Sequence, residues 1–285
     1  MTMPSAIVIG LLHPGEMGAA VGRCLTDAGY TVLWASESRG PETAARARAA
    51  GLADAGTAAE MAERADTILS ICPPHAALDT AWAVQGFGGL YVDANAISPA
   101  TAREVALMVE EGGATYVDGG IIGLPPAVAG STRLYLSGAE AQTVRRLFDG
   151  TPVDARVVGG TWAASAVKMA YASWTKGTVA LLLAARALAR ADGVEDVLLA
   201  EWALSQPSLA DRSAGAARSA ATKGWRWVAE MEEIAASMAA AGLPDGFHQA
   251  AAEIFRRSPR AEPGAPADER VDQVLAALTW DGIRG

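Results

Sequence analysis

The apolar run AIVIGLL, Ala6 to Leu12, is closed at once by His13, Pro14 and Gly15 and followed by a helical pattern from Glu16 to Ala28, and it constrains this chain more than any other stretch. A short continuous apolar segment ended by turn residues reads as a strand buried on both faces, the situation of a parallel sheet covered by helices on each side. The theme recurs at Thr31 to Ser36, Asp66 to Cys72, Gly89 to Asn95 and Thr115 to Gly120, with Ala- and Glu-rich helical patterns between. Strand alternating with helix predicts an α/β fold with a doubly wound parallel sheet, in which right-handed crossovers bring the loop after each strand to one carboxyl edge where ligands bind. Strands at Arg133 to Gly138 and Asp154 to Gly159, with a helix at Glu140 to Phe148, complete a first domain over residues 1–160.

Beyond Gly159 and Gly160 the chain changes character. Residues 161–191 contain no proline and carry apolar residues at three- and four-residue spacing, which predicts one long helix. Further helical patterns at Glu195 to Ser205, Ser208 to Thr222, Val228 to Ala241, Gly246 to Arg257 and Asp268 to Thr279 make residues 161–285 an all-α domain, with Ser258 to Arg270 as an exposed Pro-rich loop. With 51% hydrophobic residues among 285, both domains have enough apolar material for a core. The 23 Lys and Arg against 32 Asp and Glu give a net charge of −9 with no clustered cations to displace counterions, so no nucleic-acid partner is expected. Two cysteines in apolar contexts, Cys24 and Cys72, make no disulfide framework, and a reducing, cytoplasmic setting is expected. The first residues lack a basic region before their apolar run, which argues against a signal peptide. The apolar stretch at Val179 to Ala185 meets Arg186 well short of the ~20 residues that a membrane span needs.

The segment Gly10 to Gly18, GLLHPGEMG, lies between the first strand and the first helix. A glycine-rich turn there lets backbone N–H groups reach a pyrophosphate, and the positive end of the helix favours an anion by ~0.3–2 kcal/mol. Gly10, Leu12, His13, Pro14, Gly15, Glu16 and Met17 are therefore candidate cofactor contacts, and the fold class becomes Rossmann-type; a tight strand-to-helix turn without a ligand is the plain alternative. The second strand ends about 20 residues further on, where the adenosine ribose of a dinucleotide is read. Ser36, Ser38 and Arg39 suit a 2′-phosphate, since a guanidinium fork matches phosphate oxygens, whereas Glu37 would accept from a bare 2′-hydroxyl. NADP is the expected cofactor, with NAD as the alternative.

On the long helix Lys168, Ala172, Thr175 and Val179 share one face with mostly apolar neighbours. A partly desolvated lysine can give or take the proton of a carbonyl or alcohol. Periodicity alone favours the plainer reading, a lysine whose stem lies along the surface with its ammonium in water.

Several segments, in this order, resemble the β-hydroxyacid dehydrogenase superfamily, which includes 6-phosphogluconate dehydrogenase and 3-hydroxyisobutyrate dehydrogenase. They are the first turn, ICPPHAA (Ile71 to Ala77), VDANAISPATA (Val92 to Ala102), VDGGIIGLPPA (Val117 to Ala127) and GTWAASAVKMA (Gly160 to Ala170). The likeness spans most of residues 6–180 and is nearest to a branch with a shortened helical C-terminal domain. It implies that Lys168, on the glycine-led helix GGTWAASAVK, is the catalytic lysine, and that Cys72, Pro73, Pro74 and Asn95 line the cofactor loops. Asn95 stands where the family has Ser or Thr; its amide suits the nicotinamide carboxamide, or else caps the next helix, although Ser98 before Pro99 is the more obvious cap. Two departures bear on chemistry. The family's Asn four residues after the lysine is Ala172 here, with Thr175 or Ser173 to stand in, and its substrate-gripping serine and last glycine are Ile122 and Leu124. With Ile121, Ile122, Gly123, Ser173 and Trp174 as candidate substrate residues, the site is more apolar than one built for a small hydroxy acid, so a ketone, aldehyde or imine with an apolar body fits better.

His13, Cys72 and His75 are expected near one another across the sheet edge, but no carboxylate or second cysteine completes a ligand set, and no metal is expected. His248 reads as an N-terminal helix residue. Trp174, Trp202, Trp225 and Trp227 read as packing for the helical domain, with Trp174 and Trp227 as secondary candidates for a substrate pocket. The resulting expectation is a nicotinamide-dependent oxidoreductase acting on a carbonyl, alcohol or imine, in which Lys168 protonates the substrate as hydride arrives. An imine reductase is the first alternative, and a non-catalytic NADPH-binding redox sensor is the second. The cleft is expected between the two domains of a homodimer that buries Leu181, Leu182 and Leu183.

Overall fold

The computed structural model describes residues 7–262 and 264–279. Ala6 and the residues before it, on which the signal-peptide expectation falls, lie outside the described residues. The first part of the chain runs β1 (Val8–Leu12), α1 (Glu16–Asp27), β2 (Thr31–Trp34), α2 (Pro41–Ala49), β3 (Ala53–Asp54), α3 (Ala58–Arg64) and β4 (Thr67–Ser70). A 3-10 turn (Pro74–Ala76) then leads into α4 (Ala77–Trp82), followed by β5 (Leu90–Asp93), α5 (Pro99–Glu111), β6 (Thr115–Gly123), β7 (Thr132–Ser137), α6 (Ala141–Arg146) and β8 (Val153–Val157).

The strands form one sheet in the order β3-β2-β1-β4-β5-β6-β7-β8. Strand pleating sends alternate residues to opposite faces. Ile9, Leu11, Val32, Leu69, Val92 and Val117 pack under α1, α2 and α6, while Leu12, Leu33, Ile68, Tyr91 and Tyr116 pack under α3, α4 and α5. Each fully buried aliphatic side chain contributes roughly 1.5–3 kcal/mol, so two covered faces explain why apolar residues fill both faces of these strands. From β3 to β6 all neighbours are parallel. The expected parallel sheet holds with one reversal: β7 runs antiparallel to β6, and β8 is parallel to β7. The connection over residues 124–131 is too short for a crossover helix, which takes a dozen or more residues, and only a hairpin fits it.

The remaining elements are helices: α7 (Ala163–Ala191), α8 (Glu195–Ser205), α9 (Leu209–Ala240), α10 (Gly246–Arg257) and α11 (Ala267–Leu278). The chain divides into two compact units, residues 1–169 and 170–285, so the first turns of α7 belong with the sheet. The two helices expected at 208–222 and 228–241 are one, α9, which runs straight through Gly224. Glycine inside a helix costs about 1 kcal/mol relative to alanine. Here α10 packs against it, and Trp227 packs edge-on against Phe255 with ring centroids 5.0 Å apart. The triplet Leu181–Leu183 does not form one stripe either. Successive residues point about 100° apart on a helix, and Leu183 and Leu182 are buried within the chain while Leu181 is exposed. The exposed large apolar residues of α7 are instead Tyr171, Trp174, Leu181 and Leu188, the last three spaced by seven. No helix among the described residues is long and apolar enough to cross a membrane.

Gly123 ends β6 with φ 130°, and a Cβ there would stand 2.2 Å from the Ser131 carbonyl oxygen. Gly123→Ala is expected to lower stability by about 2 kcal/mol through strain at the hairpin, read as a lower urea midpoint with an unchanged slope.

Candidate functional site

The register brings the strand ends level. Leu12 pairs with Ser70, Ser70 with Asp93, and Asp93 with Asp118, so the loops after β1, β4 and β5 leave one carboxyl edge together. Two non-glycine residues among those described have positive φ, His13 at 65° and Ser38 at 59°, and both lie in loops at this edge. Such conformations are uncommon outside glycine and tend to collect at functional sites. The His13 carbonyl accepts the Gly15 N–H at 2.8 Å, and a Cβ on Gly18 would come within 2.4 Å of it, so Gly18 is required for the turn to sit down on α1.

Gly15 is the N-cap of α1, has no side-chain cap bond, and faces open space where a Cβ would be. Helix-start N–H groups without an internal partner, at the positive end of the dipole and open to approach, suit a phosphate. The residues present therefore fit a dinucleotide, though not all expected contacts share the work. Gly10 lies inside β1, paired on both sides, and its missing side chain makes room for Met61 and Ile68, each of which would stand 3.2 Å from a Cβ placed there. Leu12 and Pro14 are buried, Leu12 in the core under α4 and α5, so the open part of the turn is His13, Gly15, Glu16 and Met17.

Charges of both signs stand at this edge, Arg39 and Arg46 with Glu16 and Glu37. Burial, then the charges of Arg39 and His75, lower the His13 pKa to about 4, so its ring is neutral near pH 7. Arg39, half-buried after β2, acts electrostatically on both His13 and Cys72. Arg46 on α2 donates from Nε to the Pro14 carbonyl at 3.4 Å. Cys72 is a half-buried thiol pushed up to about 11, mainly by desolvation, which leaves it protonated and a poor nucleophile. Pro73 precedes the 3-10 turn and Pro74 begins it, both half-buried, while His75 is exposed. Among the described residues no group of three or more His, Cys, Asp or Glu is placed to hold a metal ion.

Asn95 neither caps a helix nor projects freely from the edge. Its Oδ1 accepts the Cys72 N–H at 2.6 Å and its Nδ2 donates to Ser70 Oγ at 3.0 Å, which ties the loops after β4 and β5 together. Ser98 is the cap of α5, accepting the Thr101 N–H at 3.2 Å, with Pro99 in the first turn.

Lys168 is positioned by β6. Gly119 and Gly120 lie past the level of the parallel strand ends, and a Cβ on Gly120 would stand 2.8 Å from the Ala164 oxygen and 3.0 Å from Lys168 Cβ. Only glycine lets α7 lie this close to the strand. Asp118, fully buried, accepts the Ala164 and Ser165 N–H groups at 2.9 and 3.1 Å and the Ser137 hydroxyl at 2.7 Å, and the Ser165 hydroxyl donates to its other oxygen. A carboxylate from a strand thus caps the start of α7. Burial raises its pKa above the usual carboxylate value against the opposing pull of these donors. Trp162, just before the helix, packs on Tyr116 at 5.7 Å with the Arg103 guanidinium 5.6 Å from its ring.

Strand pleating sorts the expected substrate residues. Ile121 points into the core beneath α1, beside Leu69 and Leu134, whereas Ile122 shares the strand face of Asp118 and Gly120. On α7 the Ser173 hydroxyl donates to the Ala170 carbonyl and that of Thr175 to Tyr171, Ala172 is buried, and Trp174 is 70% exposed. His248 is buried, with Nε2 3.5 Å from the Ser173 oxygen. The capping role of Asp118 escapes sequence reasoning, because its partners Ala164 and Ser165 are more than 45 residues away and leave no local spacing signal.

Comparison with known proteins matches residues 7–159 to the family described as the NAD binding domain of 6-phosphogluconate dehydrogenase, and residues 189–258 to one described as a domain of unknown function, DUF1932. Mitochondrial 3-hydroxyisobutyrate dehydrogenase of Mus musculus is 27% identical over 147 residues, which are 49% of this chain and 43% of that protein. Among solved structures, 3-hydroxyisobutyrate dehydrogenase of Mycobacterium tuberculosis with L-serine superposes with a TM-score of 0.68 at 19% identity, covering 96% of this chain and 98% of that one. An imine reductase of Myxococcus stipitatus in complex with NADP+ gives 0.58 at 21% identity, covering 88% and 93%. At these identities the two structures show a shared fold.

Asp118→Ala would leave the Ser165 N–H and hydroxyl without their acceptor and the Ala164 N–H and Ser137 hydroxyl with only their 3.2 Å alternatives, Ser137 Oγ and the Thr161 carbonyl. A loss of about 3 kcal/mol or more is expected in chemical denaturation, with Asp118→Asn retaining part of it.

Proposed function

The chain belongs to the family defined by the NAD-binding domain of 6-phosphogluconate dehydrogenase, which matches more than half of it, and on that premise we propose that it is an NADPH-preferring oxidoreductase. It moves hydride between nicotinamide and a small carbonyl or hydroxy compound, with Lys168 as general acid and base. The observation that carries this reading is the approach of α7 to Gly120, which stands Lys168 beside β6 just past the carboxyl ends of the parallel strands. From the turn after β1 to β6 is three strand spacings, about 14 Å, within the reach of an extended dinucleotide. Gly15 and the first N–H groups of α1 hold the pyrophosphate, and Ser36, Ser38 and Arg39 hold the 2′-phosphate. Cys72, Pro73, Pro74 and the loop braced by Asn95 border the nicotinamide half. When bound, the cofactor supplies or accepts hydride. Lys168 gives a proton to the substrate oxygen or nitrogen in reduction and removes it in oxidation.

A second reading, reduction of imines, is favoured by the strand face next to Lys168, where Gly120 and Ile122 stand. Neither offers a side-chain hydroxyl or amide to hold a substrate carboxylate. The reading also pairs two copies of the chain through Trp174, Leu181 and Leu188, whose exposure is otherwise costly in water.

NADPH consumption across hydroxy-acid-derived carbonyls, apolar ketones and cyclic imines tests the substrate class. Lys168→Ala is expected to lower kcat/KM about 10²–10⁴-fold while the NADPH Kd stays the same; full turnover in that variant overturns the lysine's role. Light scattering is expected to give a dimer, and Leu181→Glu with Leu188→Glu is expected to give a monomer.

A further inference from the structure

His13 is an unusual residue to find in a turn that approaches phosphate. Its backbone takes a conformation that glycine adopts more readily, yet the position carries a side chain able to bear charge. The backbone is held by the Gly15 N–H and by the closeness of Gly18 to the His13 carbonyl, so the ring is presented from a fixed stem. Its Nδ1 is buried with no hydrogen-bond partner among the described residues.

The charged groups around it come from several elements. Arg39 reaches it from the loop after β2, and His75 from the turn after β4. Glu16 lies in the first turn of α1, and Arg46 on α2 binds the neighbouring Pro14 carbonyl. Arg39 and His75 both oppose a further positive charge on the ring, and burial opposes it more strongly. An arriving phosphate supplies the countercharge that makes an imidazolium favourable there.

We propose that His13 grips a phosphate of the bound dinucleotide as an imidazolium, so that cofactor binding takes up one proton from solvent and tightens as pH falls. The inference rests on the reading of this edge as the dinucleotide site. In the free protein the ring is neutral down to about pH 4. Binding raises the pH at which it protonates, and between those two points each unit of pH lowered tightens binding by up to about tenfold. The pyrophosphate and the 2′-phosphate offer the same chemistry, and NADH, which lacks the second, separates them.

Calorimetric titrations of NADPH and NADH, each in two buffers of different ionisation enthalpy between about pH 5.5 and 7.5, count the protons taken up. His13→Asn is the test variant, because asparagine tolerates positive φ and cannot be protonated. The unsubstituted protein is expected to take up more protons than His13→Asn, by up to one per site, and to lose affinity more steeply as pH rises. An excess seen with both nucleotides assigns His13 to the pyrophosphate; an excess confined to NADPH assigns it to the 2′-phosphate. Equal proton counts in the two proteins, with binding intact, overturn this inference alone, whereas failure of both nucleotides to bind removes the dinucleotide reading with it. Should His13→Asn not fold, an NMR titration of the His13 ring with and without NADPH decides the matter: an upward shift on binding supports the proposal, and an unmoved titration overturns it.

Discussion

The Asp118 carboxylate is the interaction on which the rest of the site depends. A strand residue that accepts two backbone N–H groups and two hydroxyls fixes where α7 begins and in which direction it leaves the sheet. Gly120, two residues on, removes the side chain that would hold the helix off. Taking a carboxylate out of water costs several kcal/mol, and only a full set of donors offsets it. The arrangement therefore tolerates one geometry, and that geometry sets the position of Lys168 one turn into the helix.

At the turn after β1 the organising constraint is close backbone approach rather than a capping carboxylate. Gly18 lets α1 close on the His13 carbonyl, and the helix start is left open at Gly15. Arg39 and Arg46 stand around this opening, beside Glu16, although the chain as a whole carries a charge of −9. Local charge, not net charge, decides what an edge of a sheet attracts. Asn95 sits between the two regions and fastens the β4 and β5 loops to each other, so a residue with the look of a ligand contact serves as a brace.

The helical unit draws its order from different sources. The ammonium groups of Lys176 and Lys223 stand 5.9 and 5.8 Å from the Trp227 ring centre, Trp227 packs against Phe255, and Lys176 pairs with the buried Glu230. Arg190 links Glu195 to Asp272, joining α7, α8 and α11 by ion pairs. Tertiary packing of this kind carries α9 through a glycine that, read locally, marks a break.

The alternation of apolar runs with helical patterns determined the doubly wound class, the strand positions and the long helix, because burial on both faces of a sheet writes itself into adjacent residues. The positions of the glycine turn and the Ser36 to Arg39 loop follow from their distance to a strand end, whereas Lys168 was singled out by the family resemblance, since periodicity alone favoured a surface lysine. Only the folded chain decided the reversal of β7, the merging of α9, the burial of Leu12, Pro14 and Ile121, and the capping of α7 by Asp118. Those outcomes depend on which side chains meet across tens of residues, where hydrogen-bond geometry and close packing act and no periodicity in the sequence records them.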